Sequence, residues 1–564
     1  MSGDGKSRYF DSVLLLPAGQ GDLCEFSDSD NEQEQADTVR EMSLKEASVV
    51  GAIGDAAGQS IQLAILGSYK SLTAIHPACE DALQLWNIYL QNVESLCKIL
   101  HTPTMSQVVK KISSNPLKAS KGEECLLFAI YYFAVYSMPD TECLRLFQQS
   151  RRDLMAKYQR AVLQALVNAS WLKTTSLSVL QAYTLFLLAV RSQVDPDTFW
   201  SLTGIAMRLA QRMGVHRDGE DLGLPPFEVQ MRRRLFWQLL PLDSFAGQVS
   251  GTGILISPDS WDTKRPLNIN DAQIHPGMKD LPVDQRGATE MLFCLAKAEL
   301  SNFYNKTGVK LKGASASSKN AQEVEELIDG VENRIETSYL RYCDILNPLH
   351  FLTLAIVRSA ANVVRLRNRM APLMDKSISD HDRSELCTLA RKILDTDNAI
   401  YGNTQLRGFH WSVKSFFLWD AFLCILFSLC KDSFFSDIEV QESWKMVEEV
   451  YSNHGEVSER RRALYVVICD VTLKAWLANP PQLSGREPPF IAALRKDPKQ
   501  GKGRLREKND DSSSSSEVGP ESVSVSEVYF GSGDGPGQTT DLDFVSSSSD
   551  WMFWDQLCRD IGIG

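Results

Sequence analysis

The residue types best suited to metal or redox chemistry are the twelve cysteines of this 564-residue chain. A zinc cluster needs several thiolates grouped at short spacing around each ion, and no two of these cysteines form a CxxC pair. Their irregular spacing and mostly apolar surroundings are typical of free thiols in a reducing compartment. The eight histidines show no metal-ligand spacing either, so the sequence predicts no metal and no other cofactor.

Three consecutive arginines, Arg232, Arg233 and Arg234, are the strongest candidates for binding phosphate. The alternative is that they flank a helix that carries large apolar side chains into the core, and pair with acidic residues such as Glu228 or Asp243. The formal net charge of −12 and the pI near 5.3 make unaided binding of nucleic acid unfavourable. A framework role is therefore the favoured prediction for all three.

His216, followed by Arg217 and Asp218, could act as a general base. No serine or cysteine nucleophile stands beside it, and a histidine just past a helix end more often contacts the last carbonyl groups. We therefore predict a structural role for His216 and no catalytic residues, and we expect the protein not to be an enzyme.

The elements that must position these residues are predicted to be helices. Apolar residues recur at helical spacing over residues 63–471, and one such stripe, from Leu202 to Met213, stops at Gly214, a residue type favoured just past a helix end. Strand-like alternation bounded by hairpin turns is scarce. The sequence therefore predicts an all-α, multi-helix domain over residues 63–481.

Two stretches inside this domain carry separate predictions. Residues 306–322, with Gly308, Gly313 and a run of Ser and Ala, are predicted to form a flexible excursion before a helix that begins near Glu323. Residues 416–429 are apolar but too short to span a membrane, so we predict a buried helix there.

Both ends of the chain have the composition of disordered segments. Residues 1–62 are predicted to be mostly disordered because an acidic stretch with few apolar residues follows the first twenty. Residues 482–549 are predicted to be a disordered linker with a basic cluster, which is equally well interpreted as a nuclear-import signal or as a charged linker. The cluster consists of Arg495, Lys496, Lys499, Lys502, Arg504, Arg506 and Lys508.

Residues 550–564 form an aromatic and acidic C-terminal motif. Trp551, Phe553, Trp554 and Leu557 stand among carboxylates, and three of them share the three-residue spacing of one helical face. Such a face can dock into an apolar groove of a partner, as acidic activation segments do, or fold back onto the helical body. Both interpretations stay open.

Several segments stand in the same order as in a known family. They are residues 85–93 with 98–104, 178–188, 204–218, 232–237 and 266–271. The series resembles the middle homology region of fungal zinc-cluster transcription factors, most strongly over residues 76–280. The framework residues of the family motif would be Gly204, Arg208, Gly214, His216, Arg217, Asp218, Arg232, Arg233, Arg234, Trp237 and Asp243.

The resemblance implies a nuclear transcription regulator. Members of the family usually read DNA with a binuclear zinc cluster held by six closely spaced cysteines, whereas residues 1–60 contain only Cys24. We therefore expect a regulator that lacks this cluster and works through the transcription machinery or co-regulator proteins, through a DNA-binding partner, or as a homo- or heterodimer, without membrane contact. Two alternatives stay open: a truncated gene model whose missing N-terminal exon would encode the zinc cluster, and a helical enzyme with an apolar pocket.

Overall fold

The computed structural model describes residues 67–250, 252, 256–313, 318–369, 378–413, 419–431, 433–459, 463–481 and 487–495, together with the backbone of 2–3 and 6–7. These residues are helical except for loops and one short antiparallel pairing of β1 (Ser2–Gly3) with β2 (Lys6–Ser7). The predicted all-α fold class is confirmed. The prediction for the C-terminal motif falls outside the described residues, and so does that for the N-terminal segment 1–62 apart from residues 2–3 and 6–7.

The first half of the body is a group of helices around one large apolar core. They are α1 (Cys79–Tyr89), α2 (Ser95–Cys97), α3 (Thr102–Ser114), α4 (Lys121–Ser137), α5 (Asp140–Phe147), α6 (Arg151–Asn168), α7 (Leu177–Val190), α8 (Pro196–Arg212) and α9 (Pro226–Val249), with a π-helical turn over Leu90–Glu94. Helices α4 and α7 are apolar around almost their whole circumference, which is typical of helices buried on all sides. They pack against each other at the centre of the core.

The second half continues the helical body with two further apolar clusters. Its helices are α10 (Leu292–Gly313), α11 (Ser318–Ser338), α12 (Pro348–Arg369), α13 (Asp380–Gly402), α14 (His410–Val413), α15 (Trp419–Leu429), α16 (Asp437–Asn453), α17 (Ala463–Ala478) and α18 (Pro489–Arg495). Helices α10 to α12 share one cluster, and α13 with α15 to α18 share the other. The predicted buried helix at 416–429 is present as α15, whose residues from Ala421 onward are all buried.

The end of α8 shows how local sequence sets a helix boundary. Gly214 has a φ of +70°, a backbone conformation that favours glycine. The amide of Val215 donates to the carbonyl of Ala210 at 2.8 Å, and that of Gly214 donates to Gln211 at 2.9 Å. These two bonds form a Schellman motif, so the predicted stop at Gly214 is confirmed.

Two predicted boundaries are wrong. The chain is helical through Gly313 and again from Ser318, so residues 306–322 are mostly helix. Helix α10 is anchored in the core at Ala296 and Phe303, and each glycine costs a helix only about 1 kcal/mol. Helix α18 lies beyond residue 481, inside the predicted linker. It is ordered by packing, since Ile491 and Leu494, three residues apart, are buried in the second-half core.

Within the described residues, the segment Pro348–Arg367 of α12 is long and apolar enough to pass a simple test for a membrane span. Its environment is that of a core helix. Val357 and Val364 are buried against α10 and α11, and Arg365 pairs with Glu325 and Glu332 of α11.

Candidate regulatory site

The three arginines of α9 hold several loops of the first half together. Consecutive helical residues point about 100° apart, so three in a row reach three different neighbours, and all three are at most 3% exposed. Arg232 donates to Glu228 through Nε at 3.0 Å and to the Met213 carbonyl through Nη1 at 2.8 Å. This last bond fixes α9 to the end of α8.

Arg233 joins α9 to the loop that follows α8. Its Nε and Nη2 atoms donate to the two carboxylate oxygens of Asp218 at 2.8 and 2.6 Å, a bidentate geometry that only arginine offers. Asp218 is fully buried and also accepts from the Lys264 amide at 2.8 Å. Burial alone would raise the pKa of Asp218, but Arg233 and these backbone donors hold it below its ordinary value.

Arg234 belongs to a second group, here called the central cluster, made of Arg234, Asp271, Lys98, Glu94 and Glu290. Asp271 accepts from Arg234 Nη1 at 2.6 Å and from Lys98 Nζ at 2.9 Å, and Lys98 also pairs with Glu290 at 2.8 Å. Burial would raise the pKa of Asp271, but the two cations lower it strongly. Asp271 is therefore a permanent anion between two buried cations.

The backbone around the central cluster is tied to the same carboxylate. The Thr102 amide, at the start of α3, donates to Asp271 Oδ2 at 2.9 Å. His101 Nε2 lies 3.1 Å from the Asp271 carbonyl oxygen, so Nε2 carries the proton and donates, while Nδ1 accepts from the Thr104 hydroxyl at 2.7 Å. Burial lowers the pKa of His101, which favours this neutral form.

Two residues of the central cluster are in unfavourable states: Lys98 has a strained backbone, and Glu94 is a buried carboxyl group. Lys98 has a φ of +44°, in the left-handed region that costs a non-glycine residue about 1–2 kcal/mol. Glu94 is 3% exposed and accepts a hydrogen bond from the Tyr89 hydroxyl at 2.8 Å. Burial raises the pKa of Glu94 to about 7 although Lys98 opposes the rise. Glu94 therefore titrates near neutral pH.

The other predicted framework residues have different surroundings. Trp237 donates from Nε1 to the Lys264 carbonyl at 3.0 Å, and Arg217 pairs with Asp262 at 2.9 Å. Asp243 accepts from the Ile256 amide at 3.3 Å, while the three arginines of α9 pair with Glu228, Asp218 and Asp271. His216 is buried just past α8, and its carbonyl accepts from the Asp262 amide at 3.2 Å. Gly204 is partly buried inside α8 and Arg208 is exposed on its surface.

A further polar group lies beside the central cluster. Gln238 of α9 accepts from Lys297 Nζ at 3.1 Å and donates to the Cys97 carbonyl at 2.7 Å. Burial lowers the pKa of Lys297 to about 8 and raises that of Cys294 to about 12. Burial also raises the pKa of Cys97, so Cys97 and Cys294 are both protonated thiols at neutral pH, which makes them poor nucleophiles and poor metal ligands. Among the described residues, no group of three or more His, Cys, Asp or Glu side chains is placed to hold a metal ion.

The remaining candidates lie mostly outside the described residues. This applies to Trp551, Phe553, Trp554 and Leu557 and to the basic cluster from Lys496 to Lys508. Arg495 is described: it ends α18 and pairs with Glu487 at 3.0 Å.

Sequence reasoning missed the roles of Lys98, Glu94 and Glu290. Lys98 and Asp271 both lie in segments that carry the family resemblance. This was the one feature of the sequence that could have suggested a role for the pair. Their contact joins positions 173 residues apart, which helical periodicity does not encode.

Comparison with known proteins gives one family. Residues 86–327 match the fungal specific transcription factor domain. The chain is 33% identical over 426 residues to the aurofusarin cluster transcription factor aurR2 of Gibberella zeae, covering 74% of this chain and 63% of that protein. It is 30% identical to the transcriptional regulator AacuB of Aspergillus aculeatus, over 72% of this chain and 56% of that protein.

A third relative is the pyriculol/pyriculariol biosynthesis cluster transcription factor 1 of Pyricularia oryzae, which is 28% identical over 87% of this chain and 67% of that protein. The chain thus spans 56–67% of the length of these relatives.

The matched range contains α9, the pair of Arg233 with Asp218, and the whole central cluster. The family resemblance drawn from the sequence is confirmed, and the relatives are named as transcription factors or transcriptional regulators. The expected lack of a zinc cluster stays a prediction. The chain carries a fungal specific transcription factor domain over residues 86–327.

Proposed function

We propose that this chain is a nuclear regulator of transcription whose helical body acts through protein contacts and not through catalysis. The observation that carries the proposal is the match of residues 86–327, which hold both ion-pair groups, to a domain of fungal transcription factors. Tagging the native protein and measuring its distribution and chromatin association tests it. A protein that stays outside the nucleus under all growth conditions would refute the proposal.

DNA is read, on this proposal, by a zinc cluster outside the described body, held either by a partner chain or by an N-terminal extension. Two observations support this. The three arginines of α9 are buried in ion pairs, and the chain has a formal net charge of −12, so the body is a poor polyanion binder. Translating the genomic DNA upstream for a cysteine-rich basic exon separates the two locations. Tight, salt-resistant binding of a defined duplex by the purified 564-residue chain alone would contradict both.

The target genes are proposed to form a biosynthesis cluster. Two relatives carry that association in their names, the aurofusarin cluster factor and the pyriculol/pyriculariol biosynthesis cluster factor. Transcript profiling after deletion and after overexpression of the gene tests this. We expect a contiguous set of genes to change together, and scattered changes only would contradict the assignment.

The C-terminal motif at 550–564 is proposed to contact the transcription machinery or a co-regulator. Its support is compositional, since bulky aromatic residues stand among carboxylates. Residues 496–564 fused to an unrelated DNA-binding domain should activate a reporter, and replacing Trp551 and Trp554 with Ala should abolish the effect. If the wild-type fusion does not activate the reporter, the proposed contact of the motif with the transcription machinery is refuted.

A further inference from the structure

The second half of the body presents an aromatic groove between α16, α17 and α18. Its walls are formed by Trp444, Trp476, Pro481, Pro488 and Phe490, and its cavity volume is about 260 Å³. Whole small-molecule ligands occupy pockets of roughly 300–1,000 Å³. The groove is therefore of a size to accept one or two side chains of a peptide.

The walls are fixed in place by contacts outside the groove. The Trp444 and Trp476 rings meet edge to face with centroids 4.9 Å apart, and Trp444 Nε1 donates to the Asn479 carbonyl at 2.7 Å. Phe490 stacks on Tyr451 at 5.1 Å. Because the aromatic walls are already ordered, binding an aromatic side chain between them costs little conformational entropy of the walls.

The edge of the groove is polar and solvent-facing. Gln441, Lys445 and Glu448 line it along one face of α16, and the Lys445 side chain is 79% exposed. Ile438, one turn earlier on α16, is 70% exposed. An occupant with aromatic side chains for the walls and a carboxylate near Lys445 would complement this surface.

We propose that the groove binds the C-terminal motif of the same chain, with Trp551 or Trp554 inserted between the aromatic walls. The motif supplies Trp551, Trp554 and Leu557 at three-residue spacing, with Asp550 and Asp555 beside the tryptophans. Buried aromatic pairs add about 0.5–1.5 kcal/mol beyond the area that they bury. Lys445 is held only at 4.0 Å from Glu449 across an exposed surface, so Asp550 or Asp555 can approach its ammonium group more closely than Glu449 does.

The path of the chain supports this occupant over an unrelated one. The described chain ends at Arg495, in the same seven-residue helix as the groove residue Phe490. Residues 496–549, rich in Ser, Gly, Asp and Glu, have the composition of a flexible linker. A flexible linker of that length has an end-to-end distance of about 40 Å, against a radius of gyration of about 22 Å for a folded body of roughly 430 residues. The motif therefore reaches the groove easily, at a high effective concentration.

Docking of the motif would hide it from the transcription machinery, and only this consequence rests on the proposed function. The docking itself is tested on purified full-length protein. Gln441→p-benzoylphenylalanine places a photo-crosslinker at the groove edge and keeps Lys445, and Arg208→p-benzoylphenylalanine, on the exposed face of α8, is the matched control. After irradiation, cross-linked peptides are identified by mass spectrometry.

We expect position 441, but not 208, to cross-link to the peptide that contains residues 551–557, with a yield that does not depend on protein concentration. Trp551→Ala combined with Trp554→Ala should lower the docking equilibrium about tenfold or more, as loss of aromatic anchors does, and leave the circular dichroism of the body unchanged. Four results would overturn the proposal: equal capture at both positions, capture of residues 482–486, capture of a second copy, or no capture of the motif.

A reporter measurement separates this inference from the proposed function. Lys445→Glu should repel the motif and raise activation, whereas Lys111→Glu, on the exposed face of α3, should leave it unchanged. Cross-linking without a reporter effect would keep the docking and refute its regulatory role. A reporter effect without cross-linking would refute the docking itself.

Discussion

Replacing Glu94 with Gln should stabilise the protein at neutral pH and not at acidic pH. Glu94 is 3% exposed, and burial raises the pKa of its carboxyl from the ordinary 4.5 to about 7. The unfolded chain ionises Glu94 above pH 4.5, whereas the folded chain keeps it neutral until about pH 7. The contribution of Glu94 to the free energy of unfolding is therefore fully present below pH 4.5. It is lost as the pH rises to about 7, and it stays lost at higher pH.

The size of the effect follows from the same two values. Moving a pKa from 4.5 to about 7 corresponds to about 3 kcal/mol of differential stability. Glutamine has the same shape, still accepts the hydrogen bond from Tyr89, and does not titrate. We therefore expect the Glu94→Gln variant to be about 3 kcal/mol more stable than the wild type at pH 7.5, with the difference falling toward zero near pH 4.5.

Urea unfolding of the full chain, followed by tryptophan fluorescence at a series of pH values from 5 to 8, measures this difference. Glu336→Gln, at an exposed position of α11, controls for the loss of one carboxylate. If Glu94→Gln were less stable than the wild type at pH 7.5, ionisation of Glu94 would not destabilise the folded protein, and the raised pKa would be wrong.

Three further predictions concern stability and reactivity. Arg234→Ala should destabilise the protein by about 1.5–3 kcal/mol because it removes one of the two buried cations that pair with Asp271, whereas Arg208→Ala, at an exposed position, should change stability by less than about 0.5 kcal/mol; thermal unfolding measures both. Gly214→Ala should destabilise by about 1–2 kcal/mol because φ is +70° there, whereas Gly330→Ala, inside α11 with open space around it, should stabilise by about 0.5–1 kcal/mol; equal effects would contradict the argument. Cys79, which is exposed, should react first with a thiol reagent among the described cysteines, and faster labelling of any buried one in the native protein would refute the assigned burial.

The sequence was informative wherever structure depends on neighbours along the chain. The apolar stripe of α8 and its glycine stop predicted a helix end that the backbone adopts at Gly214. The apolar run of α15 predicted a buried helix. Both are decided within a few residues, so periodicity and capping suffice.

The sequence was less informative where packing decides. Glycines at 308 and 313 suggested a loop, yet α10 continues to Gly313, because packing anchors its earlier turns at Ala296 and Phe303 and glycine lowers helix propensity without forbidding helix. Helix α18 is only seven residues long, too short to be stable alone, and it exists because Ile491 and Leu494 are buried. Neither outcome follows from local propensity.

The three arginines of α9 show why residue type alone did not fix function. On an exposed helix, consecutive arginines would form a cationic surface for phosphate. Because α9 is packed on nearly all sides, each guanidinium points into a different neighbouring segment: Arg232 donates to the Met213 carbonyl, Arg233 to Asp218 and Arg234 to Asp271. Replacing all three pairs with apolar residues could preserve stability, but it would remove the directional bonds that set how the loops after α2 and α8 lie against α9. The arginines therefore specify the arrangement of the domain, and the contacts that reach other molecules must come from its outer surface.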